Sequence, residues 1–167
     1  GWLRDSTLRA TRLATFEQVR AFWYQYVFLQ PSAEIIVSND DLRFIEGLWN
    51  EWSPGFDASA ALPAVKDALR APANLTAALG TYRSMFDFSL QDAEFLGHAA
   101  ASLNPNPQPT LYLHGNNDGC VPNLDPTEVL AALADGSKVE FLDGAGHFLQ
   151  YEQPDRVTRL VLDFLAS

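Results

Sequence analysis

The chain has 167 residues, 47% of them hydrophobic and 12% aromatic, enough for a sizeable core in one domain or one domain plus a subdomain. A formal net charge of −10 argues against nucleic acid or an anionic membrane as partner, because both would be repelled across a Debye length. A small apolar or neutral substrate is the easier partner. Cys120 is the single cysteine, so no intramolecular disulfide can form, redox chemistry does not set the compartment, and a cytoplasmic location is the default expectation. No window approaches about 18 consecutive apolar residues, which argues against a membrane span, and the first residues lack the apolar core of a secretion signal. The chain starts with Gly1-Trp2 rather than methionine, which leads us to expect processing or a fragment.

The first stretch carries Arg4, Arg9 and Arg12 among small residues and reads as a lead-in to a helix beginning near Thr15. Thr15 with Gln18 three residues on is a capping-box pattern. Over residues 16 to 29, Phe16, Phe22, Trp23, Tyr24, Tyr26 and Phe28 crowd more densely than one helical face needs, so some must face something other than a simple core. Gln30-Pro31 breaks this pattern, a short helix or turn follows over 33 to 37, and Ser38-Asn39-Asp40-Asp41 reads as the cap of a third helix over 41 to 49. Trp52-Ser53-Pro54-Gly55 ends it. A fourth helix is predicted over 62 to 69, entered at Pro63, and a fifth from Pro72 or Leu75 to Phe86, with Leu75, Leu79, Tyr82 and Phe86 roughly on one side. A further short helix over 93 to 101 is left open, and Asn104-Pro105-Asn106-Pro107-Gln108-Pro109 is a proline-rich entry to a strand.

From there the pattern changes. Residues 109 to 114 fit a strand that runs into Gly115-Asn116-Asn117-Asp118, and residues 139 to 142 fit a second strand before Gly144-Ala145-Gly146-His147. Between them lies a helix over 126 to 133, with Asp125 as its N-cap and Gly136 at its end, giving a right-handed strand, helix, strand crossover. Pro154 opens an amphipathic helix with Val157, Leu160, Val161, Phe164 and Leu165 at helical spacing. Each strand end thus delivers one titratable side chain, Asp118 and His147, and the two ends can meet. His147, between a Gly-x-Gly loop and a helix, has little packing reason to be there and is the candidate general base. Asp118 would fix its tautomer and stabilise the imidazolium. Asp125 and Asp143 compete for that place, but Asp125 sits at a helix N-cap and Asp143 would cap the glycine loop. His114 reads as structural, His98 as a surface or packing residue, and Glu152 as capping or orienting the last helix. No Cys/His/Asp cluster has metal-ligand spacing and no glycine loop suits a phosphate, so no metal, nucleotide or other cofactor is expected.

The run Leu113-His114-Gly115-Asn116-Asn117-Asp118-Gly119-Cys120-Val121-Pro122, followed by Gly144-Ala145-Gly146-His147-Phe148 and Glu152-Gln153-Pro154, resembles the last two strands of an α/β-hydrolase, with acid before histidine. Trp23 to Glu34, with Leu48-Trp49 and Trp52-Ser53-Pro54-Gly55 after it, resembles the helical cap of epoxide-hydrolase-like members of that superfamily. The resemblance implies an α/β fold class: a mostly helical cap and return segment over 1–104, then the C-terminal part of an α/β-hydrolase core over 105–167, with an incomplete sheet. It also implies that Tyr24, in a Tyr-Gln pair, and Tyr82, in a Tyr-Arg pair, hydrogen-bond an epoxide oxygen. Trp23, Gln25, Phe28 and Phe148 would then contact substrate. The physical reason for tyrosine is direct, since ring opening creates an alkoxide, and a phenol with a pKa of about 10 stays protonated at neutral pH and can donate to it. The alternative is that both tyrosines are amphipathic core residues with hydroxyls at the surface.

No G-x-S-x-G elbow or aspartate counterpart exists in the chain; Gly115 and Gly119 have the right spacing, but Asn117 is central. The expectation is therefore the cap and C-terminal part of a larger hydrolase whose N-terminal half supplies the nucleophile, with these 167 residues alone inactive. By resemblance, an aspartate outside the chain attacks the epoxide, and His147 with Asp118 activates water against the resulting ester to give a diol. A haloacid or haloalkane dehalogenase is a second expectation, although fluoroacetate-type members carry His-Trp where this chain has Gln25-Tyr26. An esterase with serine at the elbow is another, and a non-catalytic fragment or binding module a further one.

Overall fold

The computed structural model describes residues 15–95, 97, 98 and 106–167. The basic lead-in with Arg4, Arg9 and Arg12, residues 96 and 99–101 of the helix left open over 93–101, and the start of the proline-rich entry lie outside them.

Thr15 caps the first helix, its hydroxyl accepting the Gln18 N–H at 3.2 Å. Gln18 does not return the bond within the box. Its Nε2 donates instead to the Cys120 carbonyl at 3.1 Å, 102 residues away. The single helix expected over 16 to 29 is two, α1 (Phe16–Ala21) and α2 (Trp23–Phe28), which part at Phe22. The break divides the crowded aromatics: Phe22, Tyr24 and Phe28 are buried, whereas Phe16 and Tyr26 face solvent.

The two helices expected next form α3 (Ala33–Trp52), interrupted where Ser38 to Asp41 suggests a cap. Asn39 is extended there, and Asp40, Asp41 and Leu42 are left-handed, at φ 48°, 52° and 61°. Aspartate tolerates this conformation; leucine does so at a cost of about 1–3 kcal/mol. Burial of Leu42 against the core offsets that cost, and Asp41 is held by Lys66 Nζ at 3.2 Å and Arg70 Nη2 at 2.9 Å. Helices α4 (Leu62–Arg70) and α5 (Pro72–Phe86) each start with proline in the first two positions, where a missing N–H costs nothing. Leu75 and Leu79 of α5 pack on Phe22, Tyr24, Phe28 and Val37. Arg83 of α5 clamps this layer: its guanidinium donates to both Glu34 oxygens, at 2.6 and 2.8 Å, and to the Phe28 carbonyl at 3.1 Å. That fork holds the Glu34 carboxyl down at about 2.

After short 3-10 turns at Phe88–Leu90 and Ala93–Phe95, strand β1 (Leu111–Gly115) pairs in parallel with β2 (Lys138–Leu142), Leu111 opposite Lys138 and Gly115 opposite Leu142. Between them α6 (Pro126–Ala131) is capped by Asp125, whose carboxylate accepts from Thr127 N at 2.7 Å and Glu128 N at 3.2 Å. It is shorter than expected. After β2 come α7 (Leu149–Glu152) and α8 (Pro154–Leu165), on which Val161, Leu162 and Leu165 are exposed. Among the described residues, no helix is long and apolar enough to cross a membrane. A helical layer followed by a small parallel sheet is the architecture that places the site: the loops leaving β1 and β2 meet the C-terminal end of α3.

Candidate active site

Beyond β1 the chain turns back on the β2 loop. Asn116 N donates to Leu142 O at 3.0 Å, Asn117 N to Ala145 O at 2.9 Å, and Asp118 N to Gly115 O at 3.1 Å. This approach needs glycine at Gly115, where an added Cβ would lie 2.2 Å from the Gly146 carbonyl oxygen. The turn delivers the Asp118 side chain inward. There Oδ1 accepts from Cys120 N at 2.7 Å and Val121 N at 2.9 Å, and Oδ2 stands 2.9 Å from His147 Nδ1. Burial disfavours the ionised carboxyl, but the hydrogen bond and charge of His147, the Val121 N–H and the charge of His114 outweigh it, so the pKa lies below the ordinary value. With Nδ1 engaged, Nε2 is the ring nitrogen left to take a proton from water.

The other candidates for the acid are placed elsewhere. Asp125 caps α6. Asp143 is bound through its carboxylate by Asn116 Nδ2 and does not cap the glycine loop. Glu152 does: Oε2 accepts Gly146 N at 2.7 Å, while Oε1 accepts Phe148 N at 3.2 Å and the Ser53 hydroxyl at 2.8 Å. The intervening His147 N–H donates to the Trp52 carbonyl at 3.1 Å. Three successive N–H groups around the histidine are thus anchored, two of them by Glu152. His114 is buried, its Nε2 3.1 Å from the Val121 carbonyl and its Nδ1 3.9 Å from Asp118 Oδ2, and His98 is exposed.

Tyr24 is buried, not an outward-facing phenol. Its hydroxyl lies 3.6 Å from Cys120 Sγ and accepts from Gln25 Nε2 at 3.2 Å. Its ring meets Tyr82 edge-on at 5.8 Å and Trp52 at 4.8 Å. Burial raises the pKa of both phenols, so both hold their protons at neutral pH. Tyr82 lines a hollow of about 300 Å³ beneath α3, α4 and α5, with Phe28, Trp49, Trp52 and Phe148 also on its wall. Tyr24 stands behind that wall, not on it. The His147 ring is 5.2 Å from both Trp52 and Phe148, two residues of that wall, but is not itself on it.

Two of the four expected substrate contacts, Phe28 and Phe148, reach this hollow, and two do not. Trp23 is 39% exposed and donates to both Glu51 oxygens at 3.0 and 3.1 Å, because α2 turns that face to solvent. Gln25 is buried, but its amide is committed to the Tyr24 hydroxyl. Trp49, Trp52, Ser53 and Glu152 are the residues that spacing alone does not single out; the Trp52-Ser53-Pro54-Gly55 stop and the Glu152-Gln153-Pro154 run are the signals that carry them. Among the described residues, no group of three or more His, Cys, Asp or Glu side chains is arranged to hold a metal.

The fold matches part of an α/β-hydrolase fold. A crystal structure described as a "putative epoxide hydrolase" from Klebsiella pneumoniae superposes with a TM-score of 0.73 at 24% identity, over 98% of this chain and 55% of that one. In sequence, the chain is 32% identical over 107 residues to a 2-hydroxy-6-oxononadienedioate/2-hydroxy-6-oxononatrienedioate hydrolase of Klebsiella pneumoniae, covering 56% of this chain. It is 33% identical over 86 residues to monoacylglycerol lipase abhd6-B of Xenopus laevis, covering 52% of this chain. These matches span only 36% and 25% of the two curated relatives. No family model matches the chain.

Proposed function

We propose that this chain forms the lid and the acid–base half of a hydrolase that opens epoxides to diols. The observation that carries the reading is the 2.9 Å contact between His147 Nδ1 and the buried Asp118 carboxylate, with the imidazole against Trp52 and Phe148 of the hollow that Tyr82 also lines. In the reaction, an aspartate carboxylate contributed from outside this chain attacks an epoxide carbon. The carbon–oxygen bond breaks as the ester bond forms. Tyr82, on the wall of the hollow, donates to the departing oxygen, and Tyr24, behind the wall with its hydroxyl against Cys120 Sγ and its ring edge-on to Tyr82, supports that phenol from outside the hollow. Water then attacks the ester carbonyl while His147 Nε2 takes its proton, and Asp118 stabilises the imidazolium. The carboxylate is regenerated and the diol leaves, with one water added overall.

Two features support a companion segment that completes the core. A parallel sheet is ordinarily covered on both faces, and here only two strands pair among the described residues, with apolar Val161, Leu162 and Leu165 of α8 uncovered. The curated relatives favour a second reading, ester hydrolysis with serine as nucleophile, since one of them is a lipase. The same His147–Asp118 pair would serve it. A binding module without turnover is the reading left if no nucleophile is supplied.

The test is an assay of the full-length polypeptide on a neutral epoxide and on a p-nitrophenyl ester. Tyr82→Phe is expected to slow epoxide opening about 10²-fold, Tyr24→Phe to slow it less, and both to leave ester cleavage unchanged. Unchanged epoxide turnover in both variants would refute the epoxide reading, and ester cleavage alone would establish the second.

A further inference from the structure

The Cys120 carbonyl and the Val121 N–H belong to one peptide unit, and both ends of it are engaged. The carbonyl accepts from Gln18 Nε2 at 3.1 Å, and the N–H donates to Asp118 Oδ1 at 2.9 Å. Resonance keeps such a unit flat, so its two ends turn together, and a donor on the oxygen polarises the N–H at the other end. A hydrogen-bonded line thus runs from Gln18 through the peptide to Asp118, and from Oδ2 to His147 Nδ1 at 2.9 Å. Gln18 is buried, and its backbone is set by Thr15, whose hydroxyl accepts Gln18 N at 3.2 Å. The next peptide cannot relay in this way. His114 Nε2 stands 3.1 Å from the Val121 carbonyl, but the nitrogen that follows is that of Pro122 and carries no hydrogen.

We propose that Gln18 of α1 is a positioning residue for the His147–Asp118 pair, acting on Asp118 through the peptide between Cys120 and Val121. Without its amide the peptide loses the bond that sets its tilt, and the Val121 N–H becomes a weaker donor to Oδ1. Cys120 N, at 2.7 Å from the same oxygen, still holds it, so the carboxylate is loosened rather than released. The aim of Oδ2 at the imidazole is what suffers. This inference rests on His147 being the base, as proposed above, but not on which bond is hydrolysed.

The experiment uses the full-length protein carrying Gln18→Met, close in shape but without the donor. Gln18→Glu, whose ionised carboxylate offers the Cys120 carbonyl no hydrogen, is read in the same way should the first variant fail to fold. In ¹H–¹⁵N spectra the Val121 amide should move upfield, and the Cys120 amide, whose peptide carbonyl belongs to Gly119, should move less. The His147 Nδ1 proton should shift as well. On the hydrolysed substrate kcat should fall roughly two- to tenfold with KM unchanged, since one net hydrogen bond is at stake. Equal movement of the two amides, a still Nδ1 proton, an unchanged kcat or a change confined to KM would overturn the proposal. If neither epoxide nor ester is hydrolysed by the native protein, the proposed reaction falls, and the Val121 and Nδ1 shifts decide this inference by themselves. Hydrolysis with neither shift in the variant keeps the reaction and overturns the inference.

Discussion

The N–H of His147 donates to the backbone carbonyl of Trp52 at 3.1 Å, so the proposed base is bonded directly to the last residue of the long helix α3. Ser53, next in the chain, adds a hydroxyl that donates to Glu152 at 2.8 Å and accepts from Phe148 N at 3.2 Å. The end of α3 and the loop after β2 are thus pinned together, and the position of the imidazole depends on groups outside the His147–Asp118 pair.

Glu152 is the residue whose loss should show this most clearly. Glu152→Ala removes the acceptors for Gly146 N and Phe148 N and the partner of Ser53. Steady-state kinetics on the hydrolysed substrate should show kcat down by about 10²-fold with KM little changed, the mark of a misplaced base rather than lost binding. Glu152→Gln keeps one oxygen acceptor and should recover part of the rate.

Asp118→Asn keeps an oxygen for Cys120 N and Val121 N but turns an amide N–H towards His147, favouring the wrong tautomer. Turnover should drop by about 10³–10⁴-fold with the fold retained. The same pair gives a pH signature. Asp118 ionises more readily in the folded chain than in the unfolded one, so it contributes stability above the unfolded value of about 4. That contribution is lost as pH falls below this value and through the lower, folded one. Urea unfolding across acid pH should show the gap between the native protein and Asp118→Asn closing there.

The close approach of lid and loops can be probed by adding one methyl group. At Gly119 a Cβ would lie 2.0 Å from the Glu51 carbonyl oxygen, and at Gly146 2.6 Å from Ser53 Cα; both obstacles are backbone. Gly119→Ala and Gly146→Ala should each destabilise by about 3 kcal/mol, the upper end of overpacking costs, in thermal or denaturant unfolding. Gly47, in α3, has nothing within 4 Å of its added Cβ, so Gly47→Ala should stabilise by about 0.5–1 kcal/mol.

Burial pushes the Cys120 thiol up to about 12, with the neighbouring Asp118 and Glu51 charges acting in the same direction. A thiol that stays protonated and covered is a poor nucleophile. It should resist Ellman's reagent at pH 8 in the native protein and react at one equivalent per chain in urea. Rapid labelling without denaturant would show that the Tyr24–Cys120 contact opens.

What could be read from the sequence is what depends on near neighbours. Glycine and asparagine after an apolar run place the ends of β1 and β2, and acid and histidine just beyond those ends locate Asp118 and His147. Asp125 before Pro126 predicts its cap for the same local reason. Long-range bonds carry the rest. Gln18 fits a capping box by spacing, yet its amide goes to Cys120, 102 residues on. Trp23 and Trp52 look alike in sequence, yet one reaches Glu51 in solvent and the other lines the hollow, because the break at Phe22 rotates one and the end of α3 fixes the other. Glu152 reads as part of a helix start, and only the folded chain brings Ser53 to it across 99 positions.

The three residues Glu51, Trp52 and Ser53 also limit how this lid could be exchanged among relatives. Helices α4 and α5 follow residue 53 and pack on α1 to α3 through Leu75, Leu79 and the Arg83–Glu34 fork, so a junction at residues 51–53 would split one layer in two. An exchange that takes residues 15–86 as one block should therefore keep the layer intact, and a donor with a serine at position 53 should also keep the fastening to the loop after β2.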